Sequence, residues 1–243
     1  MSIQRAAFVL RDLIYPPRCP FCDSVMGTLQ VCPDCSTKVK ALRRELPRLS
    51  FAEHFLVGMD GAAGVYHYKD EVRQAVLRMK YAGRRSYGQT LGNEMAQGLF
   101  GCTFQPGSDI IAPDLSAHMG LEFDLVIPVP PSNRQRGYNP PQYLAEPLAK
   151  ALHLPMEPHA LQKIRPTPRQ EELGREERLL NLIGAFEADH RMLPPNARVL
   201  LVDDVITTGA TMSACTGALR RAGASSVFGV SFAVTGMEEK LIA

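Results

Sequence analysis

Two adjacent carboxylates and a hydroxyl-rich turn are the residues of this sequence best suited to chemistry. Asp203 and Asp204 follow a short apolar run, and a Thr-Thr-Gly-Ala-Thr segment comes soon after them. Ionised carboxylates accept hydrogen bonds from the hydroxyls of a sugar diol, each contributing about 1.5–3 kcal/mol. A turn that leads into a helix directs backbone N–H groups at one point, where a phosphate is favoured. The residues of this predicted phosphate cradle are Thr207, Thr208, Gly209, Ala210 and Thr211.

The elements around these residues must hold them at one end of a sheet. The run Val199–Val202 is apolar and β-branched, which predicts a buried strand of a parallel sheet. A helical pattern runs from Ala210 to Ala222 and ends at Gly223, a residue type favoured after a helix C-terminus. A strand, a turn and a helix in this order predict a diol site beside a phosphate site, as a ribose 5-phosphate requires. The alternative is a solvated pair of aspartates followed by an ordinary turn.

A second loop has side chains suited to a larger anion. The run from Phe123 to Pro130 predicts a strand, and residues 131–139 continue it with Pro-Ser-Asn-Arg-Gln-Arg-Gly-Tyr-Asn. An arginine guanidinium donates to two phosphate oxygens at once. The loop is therefore a candidate pyrophosphate site, and a solvated basic turn is the alternative. The residues assigned to this site are Ser132, Arg134 and Arg136.

Four of the six cysteines form two Cys-x-x-Cys pairs near the start of the sequence. Each pair can form a tight knuckle, and the two pairs together complete the tetrahedral coordination of one metal ion. Zinc is the expected metal because the ligand set is all sulfur and closed; an iron–sulfur cluster and disulfides are the alternatives. Such a site stabilises a fold and does not catalyse, because it has no open position. The four predicted ligands are Cys19, Cys22, Cys32 and Cys35.

Length and composition predict an α/β protein with a small N-terminal unit. The 243 residues are 45% hydrophobic and 21% charged, as in ordinary globular proteins. Strands that alternate with helices predict a parallel sheet flanked by helices. The predicted units are an N-terminal helix with the four-cysteine module (1–50) and a larger domain (51–243). Predicted helices cover residues 70–81, 86–100 and 141–152, and further strands cover 64–68, 161–165 and 226–234.

Charge and hydropathy exclude other classes of protein. The net charge of +2 gives no bulk electrostatic reason to bind nucleic acid. The basic run of residues 37–44 could meet a phosphate backbone, but a solvated surface is the favoured interpretation. No stretch approaches eighteen uninterrupted apolar residues, which predicts no membrane insertion. Charged residues interrupt the first fifteen positions, so these predict a short amphipathic helix and not a signal peptide. We therefore expect a cytoplasmic protein.

The segment from Val199 to Thr211 resembles the ligand-binding signature of type I phosphoribosyltransferases. The resemblance implies a sheet of that type, with Asp203 and Asp204 on the ribose hydroxyls of 5-phosphoribosyl 1-pyrophosphate and residues 207–211 on its 5-phosphate. It also implies Mg²⁺, which would hold the pyrophosphate. Residues 167–186 match the position of the flexible catalytic hood of these enzymes, although an ordinary helix with Glu–Arg pairs is the alternative. The arginines that would neutralise the departing pyrophosphate are Arg169, Arg175 and Arg178.

The order of motifs along the whole chain resembles the ComF family of competence-related proteins. CPFC and CPDC are followed by RMKYAGRR, PVPPSNRQRGYN, TPRQ and VLLVDDVITTGAT. In RMKYAGRR, Lys80 and Arg84 match the family's basic helix end, which implies a place near the pyrophosphate. The family implies a cytoplasmic bacterial protein tied to DNA uptake or utilisation, with single-stranded DNA or a DNA-uptake protein as a partner. One departure is Pro140, which stands after Asn139 where the family has glutamine.

Two functions fit these residues. The first is transfer of a phosphoribosyl group from the pyrophosphate to an unknown base or amine. The second is a non-catalytic sensor or adaptor of a phosphoribosyl ligand, whose zinc module engages DNA or a protein partner. Glutamine-dependent amide transfer is not expected, since the sequence shows no glutaminase pattern and four of its cysteines are assigned to metal.

Overall fold

The computed structural model describes most of the chain. The described residues are 16, 18–26, 32–52, 54–82, 85–103, 122–131, 137–167 and 181–236. The predicted N-terminal helix and most of residues 101–120 lie outside them. In chain order the elements are α1 (Pro33–Ala41), β1 (Gly61–His67), α2 (Asp70–Ala82), α3 (Arg85–Phe100), β2 (Leu125–Pro128), α4 (Pro140–Ala151), β3 (Leu161–Lys163), β4 (Phe186–Ala188), β5 (Arg198–Ile206), α5 (Ala210–Arg221) and β6 (Ser226–Val234).

The central sheet has four parallel strands in the order β1–β6–β5–β2. β5 pairs with β6 along its length, from Arg198 opposite Ser226 to Ile206 opposite Val234. β2 is shorter and pairs only with Val199–Val202 of β5. β5 therefore continues past the end of β2. On the side of β2, the last part of β5 has no strand partner among the described residues. β3 and β4 form a separate antiparallel ribbon.

Apolar side chains cover both faces of the sheet. On one face, β5 residues such as Leu200 and Val202 pack in a cluster with α2, α3 and α4. On the other face, Val199 and Leu201 pack in a cluster with α5 and the β3–β4 ribbon. Alternate residues of a strand point to opposite faces, and a strand covered on both faces is apolar at every position. This is why the run Val199–Val202 predicted a central strand.

Both outer strands of the sheet are hydrogen-bonded on their far sides. Residues 42–49 run antiparallel beside β1, where Arg44 N–H donates to Val65 O (2.9 Å) and Leu49 N–H donates to Ala62 O (2.8 Å). Beside β2, Val126 N–H donates to Pro155 O (2.9 Å). The connector from the cysteine module is thus part of the sheet's border. The boundary after residue 50 stays a prediction.

The predicted fold class is confirmed. The structure is a parallel sheet flanked by helices, with a four-cysteine module in front of it. Among the described residues, no helix is long and apolar enough to cross a membrane.

Candidate functional site

The four cysteine sulfur atoms converge near the start of the chain. They all lie within 4.8 Å of one another, and Cys22 Sγ and Cys32 Sγ are 3.6 Å apart. Four sulfurs around a tetrahedral zinc, each about 2.3 Å from the metal, would be about 3.8 Å apart. Cys19 and Cys35 are buried, Cys32 is half-buried against the apolar core, and Cys22 is exposed. The donor set and its spacing fit a closed zinc site.

Local structure explains why each pair of cysteines forms half of this site. In the first pair, Cys19 N–H donates to Ser24 O (2.9 Å) and Asp23 N–H donates to Cys19 O (2.8 Å), which closes a knuckle. Asp23 takes a positive φ of 65° at the turn of that knuckle. In the second pair, Cys32 is the N-cap of α1 and Cys35 lies in its first turn. The start of α1 therefore holds both cysteines of the second pair within one helical turn.

The first knuckle is joined to the α/β core by side chains. Phe21, between the two cysteines, is only 2% exposed, and its ring centroid lies 6.5 Å from that of Phe232 in β6. Arg78 of α2 donates to Pro20 O (3.3 Å) and to Phe21 O. Tyr87 of α3 donates to the Asp23 carboxylate. The module is therefore packed on the core and shares its apolar cluster.

The adjacent aspartates of β5 face opposite sides of the sheet. Asp204 is 6% exposed and lies on the side of α2, where its Oδ1 is 2.7 Å from Lys80 Nζ. Asp203 interacts with the buried Cys215 of α5 on the other side. Burial raises the pKa of the Cys215 thiol, and the charge of Asp203 raises it further. The two faces follow from strand geometry, because successive side chains alternate. The two carboxylates therefore have different neighbours.

The protonation of this cluster differs from that of free side chains. Burial and the neighbouring charge of Asp204 raise the pKa of Asp203 to about 8, against the opposing effect of Lys80. Burial disfavours the charged form of Lys80, but the Asp204 carboxylate outweighs this effect and raises the pKa of Lys80. Lys80 and Asp204 form an ion pair, while near neutral pH Asp203 can donate a proton in a hydrogen bond.

The turn after β5, where the sequence predicts a phosphate cradle, is fixed by a glycine and by hydrogen bonds to the segment around Phe55. Gly209 is the N-cap of α5 with φ +86°, and a Cβ there would lie 2.4 Å from Phe55 O. Phe55 N–H donates to Thr208 O (2.7 Å), and Ser213 Oγ–H donates to Phe55 O (2.6 Å). The segment around Phe55 thus holds the turn against the start of α5. Only glycine meets both the backbone angle and the close approach.

Donors of this turn are available to a ligand. Within the described part of the chain, the backbone N–H groups of Thr207, Thr208 and Gly209 donate to no protein acceptor. A small open pocket lies beside them. Its lining residues are Asp203, Val205, Ile206, Thr207, Gly209, Thr211 and Met212. The structure therefore brings the first aspartate and the predicted cradle together, and it places Asp204 on the far face with Lys80.

The loop after β2 begins and ends beside the same cluster. Tyr138 O–H donates to Lys80 O, and Asn139 Nδ2–H donates to Val129 O (2.9 Å). Asn139 precedes Pro140 as the N-cap of α4, and its side chain makes no capping hydrogen bond. The two prolines occupy the first positions of the helix, where the missing N–H of proline costs no hydrogen bond.

Several predicted site residues lie outside the described residues, and their assignments stay predictions. They are Ser132, Arg134, Arg136, Arg84, Arg169, Arg175 and Arg178. Two contacts were not predicted from the sequence, namely Lys80 with Asp204 and Arg78 with the first knuckle. Both join residues that are far apart in the chain. The only available signal was the basic motif RMKYAGRR, which contains both cations.

Known proteins resemble both parts of this structure. The double zinc ribbon domain family matches residues 10–46, which include all four clustered cysteines. DNA utilization protein YhgH of Escherichia coli (strain K12) is 35% identical over 113 residues, 44% of this chain and 48% of that protein. Competence protein F of Haemophilus influenzae is 36% identical over 108 residues, 43% of this chain and 47% of that protein.

These relatives and the zinc ribbon match support membership of the ComF family. The chain spans about half the length of the curated relatives it matches. A solved structure described as the allosteric regulatory enzyme of purine biosynthesis superposes with a TM-score of 0.38 and 20% identity, covering 64% of this chain and 30% of that chain. The zinc ribbon match and the four close sulfurs together support structural zinc in the module.

Proposed function

We propose that this ComF-family chain binds 5-phosphoribosyl 1-pyrophosphate, together with Mg²⁺, at the carboxyl end of β5. The observation that carries the proposal is the pocket shared by Asp203 and the turn around Gly209. In open parallel sheets, ligands bind beyond the carboxyl ends of the strands. A diol-binding carboxylate next to a phosphate cradle matches the two ends of a ribose 5-phosphate.

The 5-phosphate would be bound by the turn. The free N–H groups of Thr207, Thr208 and Gly209 are fixed before any ligand arrives, because the segment around Phe55 braces the turn. Fixed donors cost less ordering on binding than flexible ones. The N-terminus of α5 adds a favourable dipole.

The ribose hydroxyls would be bound by the aspartates. With its pKa raised, Asp203 can both donate to and accept from a hydroxyl near neutral pH. Asp204 forms an ion pair with Lys80, and a carboxylate has more acceptor sites than one ammonium can occupy. A ligand hydroxyl can therefore bind Asp204 without breaking its ion pair.

Magnesium would enter with the pyrophosphate. Lys80 already neutralises Asp204, so this carboxylate is a weak candidate for a direct Mg²⁺ ligand. Lys80 and the arginines Arg134 and Arg136 of the neighbouring loop would contact the pyrophosphate. In the transfer reaction, the bond from C1 of ribose to the pyrophosphate oxygen breaks, a bond from C1 to the acceptor nitrogen forms, and the proton of the acceptor N–H passes to the departing pyrophosphate or to water. Arg84 and the hood residues Arg169, Arg175 and Arg178 would stabilise the departing anion.

The cellular role that we propose is the use of external DNA. The relatives that are similar in sequence to this chain are named for DNA utilisation and competence. A phosphoribosyl group transferred to a free base is one chemistry that such a role would require. A non-catalytic adaptor with the same pocket is the second candidate, because the zinc module presents Cys22 and a basic helix to solvent.

Calorimetry with 5-phosphoribosyl 1-pyrophosphate and Mg²⁺ tests the binding site. Wild type is expected to bind, and Asp203→Asn together with Asp204→Asn is expected to bind about tenfold or more weakly. The matched control is Asp189→Asn, an aspartate whose carboxylate pairs with Arg191 at the start of a surface turn. Equal binding by wild type and the double variant would refute the pocket. Release of pyrophosphate in the presence of bases or amines then separates an enzyme from a sensor.

A further inference from the structure

Helix α2 connects the cysteine module with the aspartates of β5. It begins at Asp70, just after the carboxyl end of β1, and near its end Lys80 contacts Asp204. The helix therefore starts beside the outer strand β1, and the side chain of Lys80 near its end reaches the inner strand β5. Its last turns lie between the first knuckle and the candidate site.

Arg78 makes the contact with the module. Its guanidinium donates to the carbonyls of Pro20 and Phe21, which both lie between the ligands Cys19 and Cys22. A guanidinium that bonds two successive carbonyls fixes the position of that loop relative to the helix. Phe21 fills the apolar cluster directly below, so the loop is held from two directions.

Lys80 makes the contact with the site two residues later. Residues of an α-helix are about 100° apart, so Arg78 and Lys80 point to nearly opposite sides. The backbone carbonyl of Lys80 also accepts from Tyr138, which belongs to the loop after β2. A displacement of this helical turn would therefore change the Lys80–Asp204 pair and the start of the candidate pyrophosphate loop together.

We infer that Arg78 is a positioning residue that makes the Lys80–Asp204 geometry depend on the metal state of the four-cysteine module. The two carbonyls that Arg78 binds belong to a loop whose ends are the metal ligands. Small modules of this kind take their shape from metal binding. Without metal, the loop loses the constraint that holds Pro20 O and Phe21 O in place. Lys80 then loses its fixed distance to Asp204.

Acylation of lysine side chains in the full chain, read by mass spectrometry, tests this inference without any ligand. In the zinc-loaded protein, Lys80 is expected to react slowly because its ammonium is held by Asp204 and is mostly buried. Exposed Lys150 on α4 is the internal reference. In Arg78→Ala, with zinc content verified by elemental analysis, the ratio of Lys80 to Lys150 reactivity is expected to rise about tenfold. Removal of zinc by a chelator is expected to give the same rise.

Two further variants separate positioning from general loss of structure. Arg73→Ala removes an exposed arginine from the same helix and is expected to leave the ratio unchanged. Arg78→Lys keeps a donor and is expected to restore part of the Lys80 protection. An unchanged ratio in zinc-loaded Arg78→Ala would overturn the inference. If the zinc-free chain unfolds, the ratio measured in zinc-bound Arg78→Ala still tests the inference.

The expected effect of Arg78→Ala on ligand binding rests on the proposed function. Arg78→Ala is expected to weaken binding of 5-phosphoribosyl 1-pyrophosphate severalfold, and Arg73→Ala is not. If no protein binds this ligand but Lys80 protection still depends on Arg78 and zinc, the proposed function fails and the coupling stands. If the ligand binds equally to wild type and Arg78→Ala while Lys80 protection is unchanged, the coupling fails and the pocket stands.

Discussion

Lys80 Nζ lies 2.7 Å from Asp204 Oδ1, and both groups are largely withdrawn from water. Removing one partner of such a pair leaves the other charge buried and unpaired. Lys80→Met is expected to lower the free energy of unfolding by about 2–3 kcal/mol, less than for a fully buried pair. Urea denaturation measures this change. Adding Asp204→Asn to Lys80→Met is expected to recover part of the loss, and a strictly additive double variant would contradict the ion pair.

Ionisation of Asp203 makes stability depend on pH. Its pKa is raised to about 8 in the folded protein, above that of an aspartate in the unfolded chain. The folded state therefore holds more protons in this range, and the contribution of Asp203 to stability falls as the pH rises toward 8. Relative to Asp203→Asn, wild type is expected to lose stability from pH 6 to pH 8.5. Urea denaturation of both zinc-loaded proteins at each pH measures the difference, and a constant difference would argue against a raised pKa.

Substitution by alanine is expected to have opposite effects on stability at Gly209 and at Gly217. Gly209→Ala places a Cβ 2.4 Å from Phe55 O at φ +86°, and it is expected to destabilise the fold by about 1–3 kcal/mol. Gly217→Ala lies inside α5, where the nearest atom is the end of the flexible Arg221 side chain at 3.4 Å. It is expected to stabilise the fold by about 0.5–1 kcal/mol. Thermal melts compare the two, and equal shifts would show that the turn tolerates a side chain.

The metal content of the protein follows from the sulfur cluster. Wild type is expected to contain one zinc per chain by elemental analysis, because one set of four sulfurs converges among the described residues. Cys22→Ser, at an exposed ligand, is expected to lose most of the zinc. Cys102→Ala changes a buried cysteine outside the cluster and is expected to keep it. Loss of zinc in both variants would point to a folding defect and not to ligation.

Local pattern was enough to predict the elements around the candidate site. The predicted strand at residues 226–234 matches β6, and the predicted helix at residues 70–81 ends one residue before α2 does. The cysteine spacing predicted the sulfur cluster, because knuckles depend on neighbours in the chain. These features are set by residues within a few positions of one another.

Long-range contacts could not be predicted in the same way. Strand β4 exists because Phe186 pairs with Lys163, and three residues alone have no strand pattern. The strand before the aspartates was also predicted too short, since pairing with β6 extends β5 to Ile206. The contact of Arg78 with Pro20 likewise depends on packing between residues 58 positions apart.

The border of the sheet has a consequence for how the protein behaves when damaged. Outer strands with unpaired backbone groups are templates for self-association. Here the outer side of β1 is occupied by residues 42–49, which follow directly on the zinc module. A chain that loses its metal and releases this connector would uncover the apolar strand Gly61–His67 and invite another copy to pair with it. Zinc would then prevent aggregation as well as stabilise the fold.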